Sequence, residues 1–168
     1  RNQNGLMLDT QHFPVEVKHR ILSEIDSFDE SLDGILMKSE NFQALNLMHT
    51  RYGEMVDIEY LDPPYNTDSG PILYKNNYKK SSFCSLIHNR VQLIHQQLHP
   101  TGVLCSLIDD FQYKDMQYIN NSIFGDGGKE FGNVVIRSNP SGRSSGDFRV
   151  GHEYAIFHGK SDQSSILK

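Results

Sequence analysis

The chain has only two cysteines, Cys84 and Cys105, and nothing at metal-ligand spacing around either. A disulfide framework and a Cys-based zinc site are excluded as organising features. Each cysteine lies in an apolar segment and reads as buried and reduced, which fits a cytoplasmic origin. There is no run of 18 apolar residues, so no membrane-spanning helix is expected. Positive charge is also scarce: 16 Lys and Arg stand against 21 Asp and Glu, for a net charge of −5. Proteins that grip DNA over a whole surface are basic. Any DNA contact must come from a local patch or from polypeptide beyond these residues. The first residues, Arg1-Asn2-Gln3-Asn4, offer neither an initiator Met nor a signal peptide. The expectation is a stretch cut from a longer protein. What is present suffices for one core: apolar residues make up 37% of the 168.

The pattern along the chain alternates. Residues 1–33 read as an N-terminal extension in which 14–25 form a short helix (Val15, Val17, Ile21 and Ile25 on one face) and 27–33 an acidic loop. Gly34–Met37 reads as a short strand. Ser39 is the expected N-cap of a helix carrying Phe42, Leu45 and Met48. Val56–Leu61 is a strand. Ser81 and Ser82 are expected to cap a helix with apolar positions Phe83, Leu86, Ile87, Val91, Ile94 and Leu98. Pro100 and Gly102 are expected to stop it. Gly102–Ile108 is a near-continuous apolar run, as in a buried parallel strand. A helix over about 111–123, a glycine-rich turn over 125–132 and strands at 134–136 and 154–157 follow, with a polar loop at 138–146 between the strands. Alternation of strands and helices predicts an α/β fold with a mainly parallel sheet. The last two strands have no helix between them and form the expected antiparallel pair. Residues 34–168 make up the expected main domain.

The most informative residues are Asp62-Pro63-Pro64-Tyr65. At average usage this string occurs by chance in roughly one chain in a thousand of this length. It closes the strand and opens a polar turn, Asn66–Gly70. Ligands of open α/β sheets bind at that carboxyl edge. The exocyclic amine of a nucleobase is a poor nucleophile, because its lone pair is delocalised. A catalyst that alkylates it must orient both N–H bonds and accept a proton in the transition state. Asp62 supplies an anionic acceptor, and Pro63 a carbonyl without a competing N–H. Two prolines fix φ and hold the acceptors in place. Tyr65 offers a flat face to a base taken out of its stack. The plainer alternative is a tight turn with a buried tyrosine.

Other candidates have bland readings that weigh more. Asp109-Asp110 could bind a metal or a hydroxyl, but such a pair at a strand end more often caps the next helix. Gly125-Asp126-Gly127-Gly128 follows a helix, so it fails as a dinucleotide turn. His152-Glu153 before a strand is more often structural. Arg143 could touch a phosphate. Tyr74, Lys75, Tyr78, Lys79 and Lys80 combine charge and stacking faces, as single-strand contacts do.

These residues carry a family resemblance. Leu36–Leu47, Asp62–Thr67, Gly102–Asp110, Ile123–Gly125, Ser138–Arg143 and His152–Tyr154 fall in an order that resembles the modification subunit of type III restriction–modification systems. That subunit is a β-class, adenine-specific DNA methyltransferase. The match spans about residues 34–160. The resemblance implies a partial Rossmann-like fold and methyl transfer from S-adenosylmethionine to adenine N6, without a metal. It implies that Asp62 and the Pro63 carbonyl hold the amine, with Pro64 fixing the turn. Tyr65 would stack on the flipped adenine, and Asn66 and Thr67 would continue the site wall. Glu40 and Asn41, after Ser39, resemble residues near the cofactor's adenosine. The implied partners are double-stranded DNA, a restriction (endonuclease/helicase) subunit and a second copy in the full-length protein, in a prokaryotic cytoplasm.

Two departures stand out. The family's Phe-x-Gly-x-Gly cofactor turn and its target-recognition domain are not among these residues. Weak or no binding of S-adenosylmethionine by this stretch alone is the expectation. Glu59 occupies a central-strand position that is usually aliphatic, so it needs a partner, an exposed face or a proton. N4-cytosine methylation would use the same amine geometry, although those enzymes usually carry Ser where Asp62 stands. A non-catalytic DNA-binding or assembly role is the remaining alternative.

Overall fold

The computed structural model describes residues 8–66, 78–138, 143–145 and 148–166. Thr67, Tyr74 and Lys75, and residues 139–142 and 146–147 of the expected polar loop, lie outside them. The chain forms two compact units, Arg1–Lys38 and Ser39–Lys168.

In the first unit a 3₁₀ turn, Thr10–His12, precedes helix α1, Val15–Ser23, which starts directly after Pro14. Proline suits a helix start because its missing N–H would be unpaired there anyway. An exposed Arg20–Glu24 pair at 3.3 Å spans one turn. No residue of α1 is buried. The expected strand at 34–37 is not a strand: the segment has no regular secondary structure, and Leu36 is 99% exposed. Apolar character alone cannot make a strand where no neighbouring strand takes up the ladder hydrogen bonds.

The second unit is α/β. Helix α2 is Asn41–Tyr52, strand β1 Val56–Leu61, helix α3 Lys80–Gln97 and strand β2 Leu98–Ile108. Helix α4 is Tyr113–Phe124, and strands β3, β4, β5 and β6 are Lys129–Arg137, Arg143–Ser145, Phe148–Val150 and His152–Gly159. The main sheet runs β1-β2-β6-β3, with β1 and β2 parallel and both later pairings antiparallel. The antiparallel pair foreseen near the C-terminus therefore extends onto β2. The sheet is mixed among the described residues, where a mainly parallel one was expected. β4, inside the segment expected to be loop, pairs antiparallel with β5, which lies beyond it.

Helix starts differ from expectation. Glu40, not Ser39, caps α2, its carboxylate accepting from Gln43 N–H at 3.3 Å. An Arg90 guanidinium 2.6 Å from the same carboxylate favours Glu40 over the shorter serine. α3 begins at Lys80 without a side-chain cap, so Ser81 and Ser82 lie inside its first turn. It ends at Gln97, before Pro100 and Gly102, which sit within β2 at a bulge where pairing jumps from Val56–Leu98 to Ile58–Val103. A bulge tolerates a proline that a regular ladder would not. Gly102 is required there, since a Cβ would lie 2.7 Å from the Val56 carbonyl oxygen. β3 starts at Lys129, inside the expected glycine-rich turn, and takes Gly132 at positive φ into a second bulge.

The helices α2, α3 and α4 share one core with one face of the sheet. It holds Leu45, Phe83, Ile87, Val91, Ile94, Leu104, Ile108, Met116, Ile119, Phe124 and Ile156. Strand alternation sends Ile58, Tyr60, Cys105, Leu107, Ala155, Phe157 and Val134 to the opposite face. Cys105 and Ala155 are covered by their neighbours, but Ile58 is 72% and Tyr60 65% exposed. An open groove lined by Ile58, Val103, Cys105, Phe157 and Ile166 runs along this face. No helix among the described residues is long and apolar enough to cross a membrane.

Candidate active site at the carboxyl edge of the sheet

Strand registers bring four chain segments to one edge. β1 and β2 run parallel, so Leu61 lies beside Ser106 and the Asp62–Tyr65 segment follows at the carboxyl end. Asp109 leaves the same end of β2. β6 returns antiparallel with Tyr154 beside Ile108, which puts its first residues, His152 and Glu153, at this edge too. Ile136 and Arg137 at the end of β3 pair with Glu153 and His152.

Within this edge Asp62 is exposed, Pro63 is buried, and Pro64, Tyr65 and Asn66 are half-buried. The Tyr65 hydroxyl donates to Glu153 Oε2 at 3.2 Å. Burial pushes the Tyr65 phenol well above its ordinary range, and the nearby Asp62 and Glu153 carboxylates push it further. Tyr65 is therefore a neutral hydrogen-bond donor wherever the fold persists. Burial, followed by the same two carboxylates and Cys105, also raises the Tyr60 phenol, which places Tyr60 in the same electrostatic neighbourhood.

Asn66 does something the sequence did not announce. It sits at φ +56, a left-handed conformation asparagine tolerates better than most residues. Its side chain grips the backbone of Tyr78 from both sides, Nδ2 donating to the carbonyl at 3.1 Å and Oδ1 accepting from the N–H at 2.6 Å. The amide is engaged in closing the chain on itself. Asp109 is fully buried and accepts from Gln112 N–H at 3.3 Å across the turn before α4, a helix that starts without a side-chain cap, so the expected capping role is not taken up.

Glu40 caps α2 and Asn41 opens it, and the Glu40 carboxylate is engaged within the chain. One Glu40 oxygen is taken by Arg90 and the other by Gln43 N–H, and the Arg90 guanidinium holds the carboxyl below the usual carboxylate range. Among the described residues no hydrogen bond or ion pair joins Glu40 or Asn41 to the 62–66 segment. At this edge the Asp62–Tyr65 segment stands apart from Glu40, whose two carboxylate oxygens are already engaged.

Glu59 faces the helix side beside Leu104 and is half-buried; burial raises its carboxyl above the ordinary range. No hydrogen bond or ion pair holds it among the described residues. Of the three options open for it, the structure favours a group easily protonated.

Glu153, 88 residues from Tyr65, was named in the sequence only within His152-Glu153, a pair that could face a site and was weighed as structural. A signal existed. Once strands 134–136 and 154–157 are taken as an antiparallel pair, the start of the later strand must lie at the edge where a parallel strand ends.

Comparison with known proteins gives a consistent picture. A family model described as DNA methylase matches residues 56–167. The type II methyltransferase M.KpnI of Klebsiella pneumoniae is 28% identical over 96% of this chain and 39% of its own length. The StyLTI Mod subunit, a type III restriction–modification enzyme of Salmonella typhimurium, is 22% identical over 90% of this chain and 27% of its own length. The chain thus spans well under half of these relatives. Among solved structures, the Thermus thermophilus protein TTHA0409, titled a putative DNA modification methylase and complexed with S-adenosyl-L-methionine, superposes with a TM-score of 0.57 at 12% identity. The superposition covers 77% of this chain and 54% of that one. The cytosine-N4-specific PvuII DNA methyltransferase gives a TM-score of 0.53 at 13% identity over 73% of this chain and 48% of its own. At such identities these likenesses establish the fold.

Proposed function

This chain belongs to the DNA methylase family, and from that premise we propose that it carries the base-holding part of an N6-adenine DNA methyltransferase of a restriction–modification system. The observation that carries the reading is the Asp62–Tyr65 segment, rigid at two prolines, set at the carboxyl edge with Asp62 open to solvent and Tyr65 anchored.

Each residue has a role in this reading. A flipped adenine stacks on the Tyr65 ring. Its N6 donates one N–H to the Asp62 carboxylate and the other to the Pro63 carbonyl, which turns the nitrogen lone pair out of the ring plane toward the methyl donor. S-adenosylmethionine, when bound, supplies the electrophilic methyl group. Methylation makes the remaining amine proton acidic, and Asp62 would be the group to accept or relay it. Pro64 removes backbone freedom at the point where a small displacement would be costly. The cofactor turn and the target-recognition part belong, on this reading, to polypeptide outside residues 34–168. DNA, a restriction subunit and a second copy are the partners, in a cytoplasmic setting. With a net charge of −5, the DNA grip is assigned to that other polypeptide.

The test is methyl transfer from labelled S-adenosylmethionine to duplex DNA by the natural polypeptide. Asp62→Ala is expected to slow it by about 10²–10⁴-fold, the usual worth of a positioned proton acceptor. N6-methyladenine is the expected product. N4-methylcytosine would move the reading to the cytosine enzymes, and undiminished methylation by the variant would leave a non-catalytic role.

A further inference from the structure

We propose that Glu153 is a positioning residue for the Tyr65 ring. It holds the phenol tip so that the flat face is presented to the flipped base before the base arrives. The inference rests on the base-holding reading above and adds a residue from the opposite end of the chain to it.

The geometry carries the argument. Tyr65 hangs from a backbone made rigid by Pro63 and Pro64, but its side chain can still swing about the Cα–Cβ bond. The free end is caught by the Glu153 carboxylate, 3.2 Å from the hydroxyl. A carboxylate acceptor makes a stronger hydrogen bond than a neutral one. Glu153 is itself well placed to be a fixed point. It opens β6, paired in register with Ile136 of β3 and one step beyond the Ile108–Tyr154 pair with β2. Its neighbours on either side point the other way and are tied to each other, with His152 Nε2 3.0 Å from the Tyr154 hydroxyl. Tyr154 in turn lies against the Tyr113 ring at 4.4 Å between centroids. The anchor is thus built into the sheet, whereas the ring it holds is on a loop. Holding a stacking platform in advance lowers the cost of capturing a base.

The experiment is a double-mutant cycle in the natural polypeptide. Y65F, E153A, E153Q and the double variant Y65F/E153A are assayed for kcat and for KM toward DNA, with 2-aminopurine fluorescence at the target base reporting extrusion. E153A is expected to lower kcat by about 10–100-fold, as misplacement of a positioned group does, and to weaken the 2-aminopurine signal. E153Q keeps an acceptor oxygen and is expected to recover most of that loss. Y65F/E153A is expected to be no worse than Y65F, because without the hydroxyl Glu153 has no hold on the ring. Losses that multiply in the double variant overturn the proposal, as does an E153Q as impaired as E153A. Should E153A fail to fold, by circular dichroism, Y65F/E153Q replaces it, and a further loss beyond about threefold relative to Y65F overturns the proposal. The two readings fail separately. Full methylation by Asp62→Ala sinks the base-holding reading, while an inactive Asp62→Ala beside an unimpaired E153A sinks this inference alone.

Discussion

The inner and outer strands of the main sheet are built from nearly the same residue types, yet they end in different states. On β2, Leu104 and Ile108 face the helices and are fully buried, while on β1 Ile58 faces the other way and stays 72% exposed. The helix layer is one part of the difference, since α2, α3 and α4 all pack on the Leu104 side. Position in the sheet is the other part. A strand that is apolar on both faces has the signature of burial on both faces. Gly102–Ile108 carries that signature and is buried on both, Val103, Cys105 and Leu107 included, between β1 and β6. The bare apolar residues Ile58, Tyr60, Val134 and Val135 lie on β1 and β3, at the two ends of the strand order. An exposed apolar face of this kind is a surface at which solvent is poorly accommodated.

The comparison can be broken or sharpened by substitution. Leu104→Ala should have the largest effect, about 2–5 kcal/mol lost in urea unfolding, because it opens a cavity under the helices. A loss below about 1 kcal/mol would mean that the helix layer is loosely packed. Glu59→Ile comes next, on the same face at its rim. The sign follows from proton binding. The folded state holds the Glu59 proton more tightly than the unfolded chain does, since burial raises its carboxyl. Stability from this group is therefore fully present below the unfolded carboxyl range and is lost as pH rises through the raised folded value. At neutral pH the isoleucine variant should melt higher by roughly 2–4 °C, as a gain of about 1 kcal/mol gives in a chain of this size. The advantage should shrink toward acid. A lower melting temperature would reveal a partner for Glu59. Ile58→Ser, on the bare face, should cost no more than about 0.5 kcal/mol. It should reduce binding of an apolar dye, and a larger cost would show that the face is covered in solution. The smallest expected signal is calorimetric. These residues alone should give no S-adenosylmethionine binding at micromolar affinity, and its detection would overturn the assignment of the cofactor turn to other polypeptide.

Legibility from sequence followed the range of the interaction. Val56–Leu61 was readable to the residue, because Asp62-Pro63-Pro64 ends a strand by local chemistry. The α3 apolar spacing was readable for the same reason, with Phe83, Ile87, Val91 and Ile94 all buried. Caps were less so. Ser39 was the expected cap, and its neighbour Glu40 takes the role with its carboxylate held by Arg90, 50 residues away. The segment at 34–37 had strand-like residues and no strand to pair with. In the site, Asp62–Tyr65 was legible as a string, whereas Glu153 became visible only when the sheet order put its strand start beside Asp109. Arg143 shows the other limit: its strand pairs with Val150, but its side chain lies outside what the structure describes.

The grip of Asn66 on Tyr78 has a consequence for how this architecture tolerates change. The two residues are 12 apart, and the paired hydrogen bonds fix both ends of the excursion between them. A change at Asn66 therefore reaches two places at once: the turn that carries Tyr65 and the approach to α3, whose first residue is Lys80.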